Sequence, residues 1–227
     1  MINDLILRPG WFIGTESLFD IISMFITFFI FLYSYKVYKL ASNKNYFYLS
    51  VGFFSISLGF LFKVISNSVI LYPQFSDLIL NVLSFLRPTY IYTASLLLYS
   101  FLVLTGYLII VCLTLKIKSN KIRLLLMLLV LLASILPRQE RTFTFFHFFA
   151  FLLLSVYIVP YMHKNYKKQK TNSSFLVFLS FLLLTIANFA LIGVSSYGIT
   201  FYIIGQSISL LAYIILLINL IALGLRK

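Results

Sequence analysis

A chain of 227 residues that is 62% hydrophobic, 19% aromatic and only 10% charged lies far from the roughly 25% charged residues of a soluble domain. Its mean hydropathy of +1.04 points to lipid as the main solvent, and seven spans of about 20–25 residues would use nearly the whole length, which excludes a soluble catalytic or DNA-binding domain. The net charge of +13 does not mark a nucleic-acid partner, because the basic residues stand in short clusters between long apolar runs, as membrane-orienting charges do.

The N-terminus lacks the basic flank, apolar stretch and small-residue cleavage site of a signal peptide. The first apolar run, preceded by Asp4 and Glu16 and opening with Asp20, therefore reads as a retained helix. Span one is predicted over 18–38 and is closed by Lys36, Lys39 and Lys44. Span two covers 46–66, with Lys63 near its far end. The stretch from Asn67 to Pro88 holds Pro73, Asp77 and Arg87 and is the longest connection, with room for a short interfacial helix. Span three covers 89–115 and stops at Lys116, Lys118, Lys121 and Arg123. Span four, 122–136, is short: its residues cover about 22 Å of a hydrocarbon core of about 30 Å, so Arg123 and Arg138 are expected to snorkel. Span five, 143–162, carries Pro160 near its inner end, which reads as the end of that helix. A basic loop from His163 to Lys170 leads to span six, 175–192. A Ser/Gly/Tyr turn then leads to span seven, 201–225.

Counting charges on alternate sides gives 13 basic residues against 5. The richer side is cytoplasmic by the positive-inside rule, with the N-terminus outside and the C-terminus in the cytoplasm. All five acids fall on the outer side, and tyrosines flank both boundaries as aromatic belts. The expected fold is an all-α polytopic bundle of seven transmembrane helices in the cell membrane. A parallel repeat of spans 1–3 in spans 5–7 rests on too few identities to stand.

Familiar reactive arrangements are missing. There is no carboxylate pair deep in a span and no G-x-S-x-G elbow. The two histidines, His147 and His163, sit at opposite ends of span five, so no metal-ligand spacing arises. A retinal Schiff base needs a lysine in span seven, and 201–225 has none. The single cysteine, Cys112, allows no intramolecular disulfide. No enzyme activity and no cofactor are expected.

The polar residues inside the spans carry more information. Asp20 and Lys63 fall at a similar level near the outer ends of spans one and two and are expected to pair. Arg87 marks the outer mouth of span three. His147, Asn188 and Gln206 lie in the outer halves of spans five, six and seven, and Asn219 lies about 9 Å above the inner end of span seven. The plain reading of these groups is snorkelling and ordinary interhelical hydrogen bonds. The functional reading is a ligand-binding pocket open to the outside, formed by Asp20, Lys63, Arg87, His147, Asn188 and Gln206. Scarcity of polar groups in the inner half favours binding or sensing over translocation. Partners beyond the bilayer are anionic lipid at the basic inner loops and a membrane or cytoplasmic signalling protein. The Asn172-Ser173-Ser174 sequon falls on the cytoplasmic side, where it is silent.

The run "SYKVYKLASNKNYFYLSVGFFSISLGF" and the later "IANFALIG" resemble the seven-helix input domains that precede some bacterial and archaeal histidine kinases. Those domains also keep the N-terminus outside. No kinase domain is expected after Lys227, and in that respect the chain is similar to short seven-helix membrane proteins of archaea. The resemblance implies a non-enzymatic receptor-like or sensor-like module. The alternatives are a small solute transporter of the three-plus-one-plus-three type and a structural subunit of a membrane complex. The transporter families place prolines at matching positions in several spans, whereas here only span five has one.

Overall fold

Hydrocarbon offers no hydrogen-bond partners, so a chain this apolar must satisfy its backbone within helices or a closed barrel. The computed structural model describes residues 10–71, 88–117, 119–135 and 142–224, and every regular element among them is a helix. Helices α1 (Gly10–Ala41), α2 (Lys44–Leu71), α3 (Pro88–Thr114) and α4 (Asn120–Ile135) come first. A fifth rod follows, built from α5 (Thr142–Leu152), a π-helical segment (Leu153–Ile158) and α6 (Val159–Gln169). The chain continues through α7 (Asn172–Ile192), the single turn α8 (Val194–Tyr197) and α9 (Ile199–Gly224). Among the described residues, six helices are long and apolar enough to cross a bilayer: α1, α2, α3, the fifth rod, α7 and α9. That is the signature of a polytopic membrane protein. Helix α4 has only 16 residues, about 24 Å of rise.

Several helices outlast the apolar runs that predict them. Helix α1 begins at Gly10 rather than near Leu18, and α2 continues past Ser66 to Leu71. Hydropathy marks the residues that suit hydrocarbon, whereas a helix runs on for as long as its backbone bonds are favourable. The largest difference concerns Pro160. The helix does not end there but continues to Gln169, so the expected loop from His163 is helical. Proline lacks an N–H, and in a regular helix its ring would meet the carbonyl of Val156. The preceding turn is a π-helix, in which the Val159 N–H reaches back to the Leu154 carbonyl. That wider turn makes room for the ring.

The helices alternate in direction. Thr171 caps α7, its Oγ1 accepting from the Ser174 N–H at 3.2 Å. Ser42, Lys116 and Lys170 take left-handed backbone conformations just past the ends of α1, α3 and α6, a usual way to stop a helix. The described lysines of the connectors gather at this end of the bundle, the lysine-rich end. Glu16 and Asp20 lie at the other, the acidic end, where α1 begins.

Small residues set the closest helix contacts, as expected where lipid supplies no hydrophobic drive between helices. A Cβ on Gly106 of α3 would stand 2.7 Å from the Gly52 carbonyl oxygen of α2, and one on Gly205 of α9 would stand 3.1 Å from the Ala187 carbonyl oxygen of α7. Serines add bonds across the seams: Ser57 Oγ donates to the Met24 carbonyl at 3.1 Å and Ser55 Oγ to the Leu102 carbonyl at 2.7 Å. Ile56, Leu104, Ile110, Leu154, Ile158 and Leu184 fill the core. Helix α4 packs on its edge, with Leu124, Leu125, Leu128 and Leu129 exposed. Arg123 does not simply snorkel. Its guanidinium donates to the Ile117 carbonyl and lies 4.4 Å from the Tyr48 ring centroid, which pins the start of α4 to α2.

Candidate functional site

The extra helical turns at the acidic end decide the site. Because α1 is already helical at Glu16, Glu16 and Asp20 stand four residues apart on one face of it. Because α2 is still helical at Asn67, Lys63 and Asn67 do the same. These faces meet. Lys63 Nζ lies 2.8 Å from Asp20 Oδ1 and 3.0 Å from Glu16 Oε1. Asn67 Nδ2 donates to Asp20 Oδ2 at 3.2 Å. Tyr202, near the start of α9, donates its hydroxyl to Glu16 Oε1, and the Tyr99 ring of α3 lies 5.5 Å from the ammonium. Four helices thus close on one ammonium.

Lys63 is 2% exposed and Glu16 is 0% exposed, so neither snorkels to a surface. An ammonium buried this deeply persists only when hydrogen-bonded carboxylates compensate it. By helix rise, Lys63 is about 28 Å from the start of α2 and about 12 Å from its end. The cluster therefore sits below the acidic end and well above the bundle centre.

Beside the cluster lies a cavity of about 30 Å³, room for about two waters. Asp20, Ser23, Tyr99, Tyr107, His147, Asn188, Gln206, Ser209 and Tyr213 supply its polar wall, and Phe60, Val103, Phe146, Leu184 and Leu191 supply apolar wall. Two bonded pairs face it. His147 Nδ1 is 2.8 Å from Asn188 Oδ1, and Asn188 Nδ2 donates to the Leu184 carbonyl at 2.8 Å. With the amide nitrogen so engaged, Oδ1 must accept, and His147 carries its proton on Nδ1. Deeper in the bundle, the Tyr107 and Tyr213 hydroxyls lie 3.2 Å apart.

The structure brings Asp20, His147, Asn188 and Gln206 to one cavity and ties Lys63 to it through Asp20. Arg87 lies outside the described residues, as do Arg138, Arg141, Glu140 and Asp77. Sequence reasoning missed Glu16 and Asn67, which it placed in flanking segments, and it used Tyr202 only as an interface tyrosine. The four-residue spacings to Asp20 and Lys63 were the available signal for the first two. Toward the lysine-rich end the polar wall stops: Leu108, Val111, Ile158 and Leu216 pack together in the core. The buried polar side chains there, Ser34, Ser50, Ser180 and Asn219, are scattered. Ser50 and Ser180 donate to carbonyls of their own helices, and Asn219 Oδ1 has no hydrogen-bond partner among the described residues.

The chain matches no protein-family model, no curated protein and no solved structure. The chemistry of the site therefore stands on its geometry. It offers hydrogen-bond donors and acceptors around a pre-built ionic cluster. The described residues include no group of three or more histidine, cysteine or acidic side chains placed to hold a metal ion.

Proposed function

We propose that the chain is a seven-helix module of the cell membrane, with its N-terminus outside and its C-terminus in the cytoplasm. It acts as a receptor-like or sensor-like protein that takes a small polar molecule into its outer half. The observation that carries this reading is the cavity toward the acidic end, with polar side chains of α1, α3, α5, α7 and α9 in its wall and the apolar core beyond it toward the lysine-rich end. Alternation of helix direction supports counting α4 as a crossing despite its rise of only about 24 Å.

The cavity holds about two waters in this packing, so a larger molecule enters only with a shift of the surrounding helices. Such a ligand acts by stabilising one packing of the bundle over another, and the basic inner loops pass the change to a partner protein. The resemblance to histidine-kinase input domains fits this reading, since "IANFALIG" carries Asn188, which binds His147 across the α5–α7 seam. A transporter reading draws on the π-helical break before Pro160, a feature common at functional sites, but among the described residues the polar-walled cavity includes neither Asn219 nor the buried serines nearer the lysine-rich end.

Reconstituting the purified protein alone tests the proposal, by measuring solute flux and hydrolysis beside ligand-dependent melting in a panel of small polar solutes. Melting shifts that Asn188→Leu or Gln206→Leu abolish, without flux or turnover, are expected. Robust flux lost on either substitution would make the protein a transporter instead.

A further inference from the structure

A second concavity lies at the opposite end of the molecule and shares no residue with the first. Helices α1 and α9 run parallel and are joined at the acidic end through Glu16 and Tyr202. Toward the lysine-rich end they leave a groove of about 480 Å³ between Phe29, Leu32 and Tyr33 of α1 and Leu217, Leu220 and Ile221 of α9. That volume lies within the roughly 300–1,000 Å³ of ordinary ligand pockets. Along α1 the groove extends about 10 Å, from Phe29 to Lys36. Its lining surface is wholly apolar, so Lys36, the lining residue of α1 nearest the lysine-rich end, contributes its aliphatic stem and leaves its ammonium outside the groove.

We propose that this groove binds one phospholipid of the surrounding leaflet, selected for an anionic headgroup. The apolar walls take a length of acyl chain, and the Lys36 ammonium takes the headgroup phosphate. Charge complementarity singles out that occupant. Lys36 is exposed and makes no ion pair among the described residues. The two described carboxylates, Glu16 and Asp20, sit at the other end of α1, bound to Lys63. The neighbouring Lys39 is turned aside, 5.2 Å from the Tyr35 ring centroid. Lys36 lies about 8 Å from the end of α1, and that helix overshoots a hydrocarbon core of about 30 Å by roughly 18 Å in total. Shared between its two ends, the overshoot puts Lys36 at headgroup level, with the groove beneath it among the acyl chains. A zwitterionic lipid would fill the same walls and offer the same phosphate, but its own headgroup cation competes with Lys36 for that charge.

The experiment is native mass spectrometry and thermal melting of the purified full chain in mild detergent. Phosphatidylglycerol and phosphatidylcholine of identical acyl chains are added in parallel, with inorganic phosphate as a third arm. One phosphatidylglycerol should be retained about fivefold more than phosphatidylcholine, the preference that one lysine near a membrane surface confers. Lys36→Gln should bring the ratio to about one, whereas Lys167→Gln, on α6, should leave it unchanged. Leu217→Trp, which fills the groove, should lower retention of both lipids. Equal retention of the two lipids by the native chain, or a preference that survives Lys36→Gln, overturns the proposal. Stabilisation by inorganic phosphate alone would also overturn it, since the acyl chain would then contribute nothing. Cross-linking of two chains through Leu220→Cys in a Cys112→Ser background would overturn it in favour of a second copy in the groove.

Discussion

Lys63 shows how strongly one side chain is committed. Its ammonium is held between Asp20 and Glu16 with the Tyr99 ring beside it, and the residue is buried. Breaking a buried ion pair by removing one partner typically destabilises by about 3–5 kcal/mol, because the remaining charges lose their compensation. Lys63→Met is therefore expected to lower stability by about that amount in a detergent or lipid unfolding titration. A loss under about 1 kcal/mol would mean that the carboxylates are satisfied without the ammonium. Asn188→Leu belongs to a milder class. It removes one interhelical bond, to His147, and such bonds within membranes average about 0.6 kcal/mol with a ceiling near about 1.7. Its effect on stability should stay within that range while its effect on ligand-dependent melting is complete. Asp20 and Lys63 were legible as partners from their matching depths. Tyr202 was not legible, since 186 residues separate it from Glu16 and no local pattern links them.

At the scale of elements, close approach of backbones governs what each helix tolerates. A side chain at Gly106 meets Ile56 and the Gly52 carbonyl, neither of which has room to yield in the α2–α3 seam. Gly106→Val should destabilise by at least about 1–3 kcal/mol, the usual range for overpacking. Gly14, with nothing within 4 Å of an added Cβ, provides the contrast: Gly14→Ala should be neutral or stabilise by up to about 1 kcal/mol. Melting temperatures of the two variants in the same detergent check both, and a Gly106→Val variant as stable as Gly14→Ala would refute the seam. The fifth rod adds a lesson of its own. Pro160 was read as a terminus because proline usually stops a helix, yet the π-helical turn before it lets the rod continue. That turn has no sequence signature of comparable strength, so it shows only in the folded chain.

For the whole molecule, the separation of charge is the governing feature. The described lysine-rich connectors meet at one end, while Glu16 and Asp20 are buried toward the other. If the positive-inside rule sets orientation, reporter fusions after Leu40, Lys118, Lys168 and Lys227 should all report the cytoplasm. An outside signal at any two of these would overturn the seven-crossing topology, and one at Lys168 and Lys227 with Leu40 and Lys118 inside would show that α4 does not cross. The sequence by itself determined that the chain is helical, strongly apolar along its long spans and basic in the connections between alternate ones. Those properties follow from composition and from the need to satisfy the backbone in lipid, and they need no knowledge of neighbours. The sequence count of seven spans compares with six helices long and apolar enough to cross among the described residues. Which side chains meet was decided only by the tertiary structure. In water an amphipathic stripe shows which face of a helix turns inward, but a helix in lipid is apolar on both faces, so the stripe is missing. Its rotation is set by a few glycines and polar residues, and their partners lie on other helices. The joining of Glu16, Lys63, Asn67 and Tyr202 is a property of the packed bundle for that reason.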